Sequence, residues 1–305
     1  MRRVRRRADV DVRPMNDWVV RVPASSANLG AGFDVLGMAL GLHAETGIGE
    51  PPAGALAADE RHPAEVAFRR AGGTGPLWVR SPIPIGRGLG FSGAARVGGA
   101  AAAAVQQSSP AALDDPATRA EMLAVTSELE RHADNVAASI YGGVVVATGR
   151  GVVQVPLAFN PVVVVWVPNS TTTSTDHSRG RLPDTVSRAD AVFNVGRAAM
   201  FVAACANGEV AALRAATEDR LHQQLRLQQV PESAAALDAA LDAGAWAAWL
   251  SGSGPTIAAM CDPGRAEEIA GALPETGHVK LLRIDHEGVV ALGTTGVDDP
   301  LDPAV

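Results

Sequence analysis

The sequence predicts a mixed fold of the α/β or α+β class, because segments typical of strands alternate with segments typical of helices along the chain. The clearest strand is 162–167, a run of five valines and one tryptophan that indicates a strand buried on both faces. The clearest helix is 94–107, which is rich in alanine, the best helix former. The chain has 305 residues, 47% of them hydrophobic, which suggests two domains with a sizeable core.

The first half of the chain predicts a sheet covered by helices. Strands are predicted at 18–23, 35–42 and 77–80, with a loop of small residues at 24–34, and a hairpin joins 144–148 to 152–155. Helices are predicted at 63–70, 94–107 and 118–132. Gly98 and Gly99 lie inside the second helix, where each costs about 1 kcal/mol relative to alanine. We therefore expect that helix to pack closely against another backbone.

The second half begins with strand 162–167, which we expect to open a second domain. Strands 245–250 and 256–261 flank a glycine-serine segment, and a late strand is predicted at 279–284. Helices are predicted at 187–206, 208–220, 232–243 and 266–272.

Composition excludes several classes of protein. The net charge of −7 argues against nucleic acid as the main partner, and no apolar run reaches the roughly 18–20 residues of a membrane span. Two cysteines, Cys205 and Cys261, are too few for a disulfide framework and favour a reducing cytoplasm. Residues 1–14 are basic without a following apolar segment, so we expect a disordered tail, or a chain starting at Met15, rather than a secretory signal.

The segment 84–95 places four glycines, Gly86, Gly88, Gly90 and Gly93, directly before the alanine-rich helix. A glycine loop that leads into a helix N-terminus presents N–H groups and the positive end of the helix dipole to an anion. Phosphate is the expected ligand. The lysine of the familiar phosphate loop is missing, since the only lysine is Lys280, so this loop is of another kind. The alternative is a surface loop before a buried helix.

Three further segments carry groups suited to chemistry, and each has a structural alternative. Asn28 and Asp34 project from the loop 24–34, where an amide and a carboxylate can hold a polar substrate, or simply form a turn. Glu130 lies in the acidic and imidazole-bearing segment 128–135 and offers the oxygen ligands that Mg²⁺ prefers; the alternative is a solvated helix end. A second glycine loop, 250–256, either closes over a ligand or is a tight hairpin.

Two polar segments, 175–183 and 219–226, contain Arg179 and Arg226. Guanidinium groups match carboxylates in a bidentate fork, so these arginines can clamp the carboxylate of an amino acid. The alternative for any single arginine is a place on the solvated surface.

Together these segments resemble the GHMP kinase superfamily and, within it, the homoserine kinases. The resemblance covers most of 17–290, and it rests on the three glycine-containing segments and on a His-x-Asp-Asn sequence beginning at His132. These are supported by three stretches similar to homoserine kinases. The glycine-containing segments are 22–34, 84–95 and 249–256, and the His-x-Asp-Asn sequence lies in 132–137. The stretches similar to homoserine kinases are 175–183, 186–194 and 219–226.

The resemblance implies an α+β fold of two domains with the active-site cleft between them. The N-terminal, ATP-binding domain would span 15–160 and the C-terminal domain 161–298, with tails at 1–14 and 299–305. It implies ATP and Mg²⁺ as cofactors and transfer of the γ-phosphoryl group to the side-chain hydroxyl of L-homoserine. The product would be O-phospho-L-homoserine, on the way to threonine. Homologues are typically cytoplasmic homodimers.

The resemblance also implies a role for each matching residue. The nucleotide would lie against Pro84, Ile85, Gly86, Arg87, Gly88, Leu89, Gly90, Phe91, Ser92 and Gly93. Ser92 and Glu130 would hold the metal. The homoserine pocket would be formed by Asn28, Asp34, His132, Asn135 and Gly252, with Arg179 and Arg226 on the carboxylate and Thr175 nearby. Asn28, Asp34 and Asn135 would lie nearest the chemistry, with no general base assigned.

Several positions depart from the family pattern, among them Gln224 and Leu225, which stand where Pro-Tyr is usual before Arg226, and the segment 43–76 is short. Phe91 stands where a serine is usual, and His62 stands where an asparagine is expected. These departures leave two alternatives to a homoserine kinase: another small-molecule GHMP kinase, or a non-catalytic nucleotide-binding regulatory homologue.

Overall fold

The computed structural model describes residues 18–148, 151–169, 180 and 182–293. The strands in these residues are β1 Trp18–Ala27, β2 Leu36–Ile48, β3 Leu56–Ala57, β4 Leu77–Arg80, β5 Val144–Thr148, β6 Gly151–Val155, β7 Val162–Pro168, β8 Ala247–Leu250, β9 Ile257–Cys261, β10 Gly277–Arg283 and β11 Val290–Gly293. The helices are α1 Pro63–Arg70, α2 Phe91–Gln107, α3 Pro116–Glu130, α4 Asp134–Tyr141, α5 Arg188–Asn207, α6 Leu213–Ala216, α7 Gln223–Leu227, α8 Pro231–Asp242 and α9 Ala266–Ala272. Single 3₁₀ turns occur at Pro110–Asp114, Val210–Ala212 and Pro263–Arg265.

The strands form two antiparallel sheets. The first has seven strands in the order β11-β1-β2-β4-β3, with β5 also paired to β2 and β6 paired to β5. The second has four strands in the order β10-β7-β9-β8. Strand β11 follows the whole second sheet in the chain, yet it pairs with β1 so that Gly293 lies opposite Trp18.

Strand β7 shows how the two sheets share their cores. Successive side chains of a strand point to opposite faces. Val163 and Val165 belong to the large core that the second sheet shares with the first, whereas Val164 and Trp166 belong to a smaller core under α8 and α9. The expected strand buried on both faces is therefore confirmed, and the two halves of the chain are joined by a continuous apolar core.

Helix α2 packs closely on its neighbours through its paired glycines, as their position in the sequence predicted. A Cβ atom on Gly99 would overlap the backbone carbonyl oxygen of Ala64 in α1, and one on Gly98 would overlap the side chain of Thr46 in β2. The glycines thus let α2 approach both α1 and the first sheet, and this fixes the position of its N-terminus.

This packing predicts opposite effects of the same substitution at two helical glycines. Gly99→Ala is expected to lower the free energy of unfolding by about 2–3 kcal/mol, because a backbone carbonyl must move to admit the methyl group. Gly196→Ala is the matched control, since a Cβ there meets no atom within 4 Å, and it is expected to raise that free energy by about 0.5–1 kcal/mol. Urea unfolding followed by circular dichroism measures both; destabilisation of similar size at the two positions would contradict the packing argument.

Several sequence expectations differ from the structure. Strand β1 continues through Pro23 to Ala27 instead of ending at the proline, and its pairing with β2 shifts register between Pro23 and Ala24. Such an irregularity accommodates the missing proline N–H. The helix expected at 118–132 ends at Glu130, because Arg131 takes a left-handed conformation with φ of 67°, and α4 begins at Asp134.

The prediction of a helix at 208–220 is also wrong for the second part of that range. Only Val210–Ala212 and Leu213–Ala216 are helical. The Asp219 carboxylate accepts hydrogen bonds from the N–H groups of Leu221, His222 and Gln223 at 3.2, 2.8 and 2.7 Å. This arrangement competes with the continuation of the helix and begins α7 instead.

Among the described residues, α5 is long and apolar enough, by length and composition alone, to cross a membrane. One such helix is weak grounds for a membrane span. In this structure Phe201 and Cys205 on α5 pack into the large core, and Asn194 bonds to the loop between β1 and β2.

Candidate active site

A cavity of about 240 Å³ lies where the two halves of the chain meet. Its wall combines the β1–β2 loop, the glycine loop before α2, the α3–α4 junction, α7 and the β8–β9 turn. The residues expected at the site that line it are Asn28, Asp34, Pro84, Ile85, Gly86, Arg87, Gly88, Gly90, Phe91, Ser92, Glu130, His132, Asn135, Arg226 and Gly252. Segments more than two hundred residues apart in sequence therefore meet around one space.

Two expected site residues among the described part of the chain do not line the cavity. Leu89 is fully buried in the core, and Gly93 lies in the first turn of α2 against Asn135 and Val136. Thr175 and Arg179 lie outside the described residues.

The β1–β2 loop holds Asn28 and Asp34 in an unusual backbone conformation. Both have positive φ, 72° and 59°, a region that L-residues other than glycine seldom adopt. The Asn28 side chain stabilises it: Nδ2 donates to the Gly252 carbonyl at 2.9 Å, and Oδ1 accepts from the Asp34 N–H at 3.0 Å. Strained residues held by their surroundings are typical of functional sites, and here they direct two polar residues to the cavity.

The glycine loop ends in the N-terminus of α2. Gly86, Gly88 and Gly90 have φ of 65°, 78° and 71°, and Gly90 is the N-cap residue, without a side-chain hydrogen bond to the helix. Helix geometry leaves the first N–H groups of α2 without acceptors inside the helix. This end of a 17-residue helix is therefore built to receive an anion.

A chain of buried hydrogen bonds fastens this loop to the second sheet. Trp249 Nε1 donates to Ser26 Oγ at 2.9 Å, and Ser251 Oγ donates to the Gly88 carbonyl at 2.7 Å. The two serine oxygens are 2.8 Å apart. Because the single Ser251 proton is used on Gly88, Ser26 donates to Ser251. The glycine loop thus takes its position from both halves of the molecule.

The α3–α4 junction presents His132 and Asn135. Asp134, which is 2% exposed, accepts from His132 Nδ1 and from the Asn135 N–H, each at 2.8 Å. Ser25 Oγ donates to Asn135 Oδ1 at 2.8 Å, and this hydrogen bond fixes the orientation of the Asn135 side-chain amide. Asp134 and Ser25 therefore orient the two expected residues, and neither was assigned this role from the sequence.

Arg226, on α7, lines the cavity. Its Nη1 contacts the Gly252 carbonyl and His222 Nδ1, each at 3.2 Å, and the guanidinium lies 5.3 Å from the centre of the Phe33 ring. An arginine donates only, so His222 Nδ1 accepts, and His222 Nε2 carries the proton that it donates to the Gly30 carbonyl at 2.9 Å. Arg226 is only 7% exposed, which makes it a desolvated cation directed at the cavity.

Burial lowers the pKa of His222, and the nearby Arg226 lowers it further, although Asp219 and Asp34 act in the opposite direction. This agrees with the neutral imidazole that the hydrogen bonds require. Burial alone would raise the pKa of Asp219. Its contact with His222 and its hydrogen bonds, including one of 2.6 Å from Asn194, outweigh this and lower the pKa.

Asn194 links this network to the β1–β2 loop. Its Nδ2 donates to the Ala31 carbonyl at 3.2 Å as well as to Asp219, and its Oδ1 accepts from the Arg220 N–H at 2.9 Å. Helix α5 thereby holds the loop of Asn28 and Asp34 and the start of α7 in one arrangement.

These contacts predict a loss of stability in mild acid. The folded-state pKa of His222 lies below its ordinary value of 6.5, so the unfolded chain takes up a proton first as the pH falls. The contribution of His222 to the free energy of unfolding is fully present above about pH 6.5. Below that pH it decreases by up to about 1.4 kcal/mol per pH unit. Urea unfolding at pH 7.5 and 5.5 measures the change.

The matched variant is His222→Gln, which does not titrate. His62 and His278 also have lowered pKa values and remain in both proteins, so the difference between the two isolates His222. The variant is expected to lose less stability between the two pH values. An equal loss in both would exclude His222 as a source.

Ser92 and Glu130 lie at the end of the cavity next to α2. Ser92 Oγ donates to Glu130 Oε2 at 3.0 Å, and Arg96, one turn further along α2, contacts both side chains. Among the described residues no group of three or more His, Cys, Asp and Glu side chains could hold a metal ion. One carboxylate and one hydroxyl nevertheless fit Mg²⁺, which commonly takes one or two protein oxygens and the rest from phosphate.

Comparison with known proteins identifies the family. The model of the GHMP kinases N-terminal domain matches residues 60–143, and that of the GHMP kinases C-terminal domain matches residues 200–279. The homoserine kinase of Moorella thermoacetica is 40% identical over an alignment of 276 residues, and the match covers 84% of this chain and 90% of that protein. The chain belongs to the homoserine kinase family.

Other homoserine kinases extend the match. That of Streptomyces avermitilis is 38% identical over 90% of this chain and 95% of its own length. The crystal structure of the Cytophaga hutchinsonii homoserine kinase superposes with a TM-score of 0.77 at 25% identity, covering 92% of this chain and 99% of that one. The expected resemblance and the α+β GHMP kinase fold are thus confirmed. As a homoserine kinase, the protein is a phosphotransferase with an alcohol group as acceptor, and ATP is its phosphoryl donor.

Proposed function

We propose that the cavity binds ATP and L-homoserine together and transfers the γ-phosphoryl group to the homoserine side-chain hydroxyl. The product is O-phospho-L-homoserine, an intermediate on the way to threonine. One observation carries the proposal: a helix N-terminus suited to phosphate and a buried arginine suited to a carboxylate both line one cavity. Asn28, Asp34, His132 and Asn135 line the same cavity.

The nucleotide side is the glycine loop with the start of α2. Backbone N–H groups there receive the phosphates, since this loop has no lysine. Ile85, which is 70% exposed, and Phe91 offer apolar surface to the base. The Phe91 ring meets the His62 ring edge to face at 6.0 Å, so these two departures from the family pattern are in contact.

Ser92 and Glu130 would hold Mg²⁺. When bound, Mg²⁺ supplies positive charge to the phosphate oxygens that carry the transferred group. The Ser92 hydroxyl and the Glu130 carboxylate keep their positions through α2 and the last turn of α3.

On the substrate side, Arg226 binds the homoserine carboxylate, with Thr175 and Arg179 assigned to the same end. This leaves the hydroxyl end of the substrate toward Asp34 and Asn135 and the phosphates beyond them. Phosphoryl transfer has a loose transition state, so positioning and charge stabilisation provide most of the rate acceleration. Asn28, Asp34 and Asn135 therefore act by orienting the hydroxyl, and no strong general base is required.

A coupled assay with purified protein, ATP, Mg²⁺ and L-homoserine tests this function, with ³¹P NMR to identify the product. We expect O-phospho-L-homoserine to form. Folded protein without turnover above background would contradict the proposal. More efficient phosphorylation of another alcohol in a panel of hydroxylated acids and sugars would instead favour a different GHMP substrate.

We also propose that the enzyme is a cytoplasmic homodimer that acts without nucleic acid or membrane. Exposed Val192, Val195 and Met200 on α5 support a protein interface. Cys205 and Cys261 are free and buried, and burial raises their pKa values to about 12 and about 11, as suits thiols that stay reduced. Sedimentation equilibrium measures the oligomeric state, and a monomer at micromolar concentration would contradict the dimer.

A further inference from the structure

Arg96 occupies the position where the metal is expected to bind. It follows Ser92 by four residues on α2, so both side chains lie on the same face of the helix. Its Nη1 contacts Ser92 Oγ and Glu130 Oε2, and Ser92 and Glu130 are the two residues assigned to Mg²⁺. The arginine side chain is 20% exposed and the glutamate 11%, so this is a partly desolvated contact rather than a surface ion pair.

The arrangement leaves a competition for one carboxylate. Glu130 already faces Arg96 on Oε2, and His132 Nε2 lies 4.0 Å from Oε1. A divalent cation on the same oxygens would lie beside the guanidinium, and like charges at such distance repel. Arg96 Nε is buried and has no hydrogen-bond partner among the described residues, so the guanidinium is incompletely satisfied where it lies.

We propose that Arg96 is a positioning residue that competes with the divalent cation for Ser92 and Glu130, and that it thereby sets how strongly nucleotide binding depends on the metal. The inference rests on the proposed role of this site. Without metal, the guanidinium neutralises Glu130 and lets a phosphate anion approach. With metal, it must give up both oxygens.

Calorimetry of β,γ-imido ATP binding, in EDTA and in saturating Mg²⁺, measures this dependence. The quantity is the dissociation constant in EDTA divided by the dissociation constant in Mg²⁺. In Arg96→Gln the bare Glu130 repels the metal-free nucleotide, and the metal no longer displaces a cation. The ratio is therefore expected to rise about tenfold or more. Arg96→Lys keeps the charge but reaches only one of the two oxygens, so a rise of roughly threefold is expected.

Arg70→Gln is the matched control, because Arg70 also pairs with a glutamate of α3, Glu128 at 3.1 Å, but on the exposed surface. Its ratio should equal that of the unchanged protein. If the ratio in Arg96→Gln is equal to or lower than that of the unchanged protein, the inference about Arg96 is overturned and the proposed function is not affected. If Arg96→Gln does not fold, Arg96→Lys decides by the same criterion. Failure of the unchanged protein to bind the nucleotide in either condition overturns the proposed function and this inference with it.

Discussion

Replacing Arg226 by alanine is expected to raise the KM for L-homoserine by roughly 30- to 1,000-fold, with a smaller effect on kcat. A buried charged hydrogen bond to a ligand contributes about 2–4 kcal/mol, which corresponds to that range. The carboxylate lies away from the reacting hydroxyl, so its contribution is largely uniform binding, which appears in KM. Steady-state kinetics with each substrate varied in turn measures the effect, and the KM for ATP should change little.

The control for this result is a substrate without the carboxylate, 3-aminopropan-1-ol. The unchanged enzyme should prefer homoserine strongly, whereas Arg226→Ala should discriminate little between the two. Arg226→Lys keeps the charge and is expected to recover part of the affinity. A preference for homoserine that survives in Arg226→Ala would show that another group binds the carboxylate.

Replacing Gly88 by alanine is expected to reduce kcat/KM for ATP by about 10³-fold or more. Gly88 has φ of 78°, and a Cβ atom there would overlap the Ser251 carbonyl oxygen and lie 3.0 Å from that of Gly254. The glycine loop must then move away from the β8–β9 turn, which breaks the hydrogen bond from Ser251 and displaces the N–H groups that face phosphate. A misplacement of 1 Å at such a site costs about 10²-fold by itself.

Gly252 provides the matched comparison, because it faces Gly88 across the same contact. It also has a positive φ, 57°, but a Cβ there would meet the Gly88 carbonyl oxygen at 3.6 Å, an ordinary contact. Gly252→Ala therefore carries only the backbone cost, about 1–2 kcal/mol of the free energy of unfolding, and is expected to lower kcat/KM far less than Gly88→Ala. Kinetics and urea unfolding of both variants measure the difference; equal losses would contradict the fit described for Gly88.

Local sequence patterns predicted many elements well. Helices 63–70 and 266–272 and strand 77–80 have the bounds expected for them. Helix α2 begins three residues earlier than expected, because Gly90 adopts the left-handed N-cap and the next residues join the first turn despite Gly93. The break between α3 and α4 was missed because it depends on the positive φ of Arg131, a residue without strong turn preference.

The residues that line the cavity were predictable because most of them belong to short sequence motifs. The residues that orient those motifs were not predictable, because their contacts are distant in sequence. Ser251 reaches Gly88 across 163 positions, and Ser26 reaches Ser251 across 225. Serines in a glycine-rich segment suit turns equally well. Asp134 lay within the expected His-x-Asp-Asn segment, and its burial marks it as the residue on which the neighbouring side chains depend.

The pairing of β11 with β1 has a consequence for biosynthesis. Until Val290–Gly293 has left the ribosome, β1 remains an edge strand with unpaired backbone groups, although it was among the first segments to be made. The first sheet therefore begins early in translation and is completed last. A nascent chain stalled before residue 290 would expose that edge to pairing with other chains.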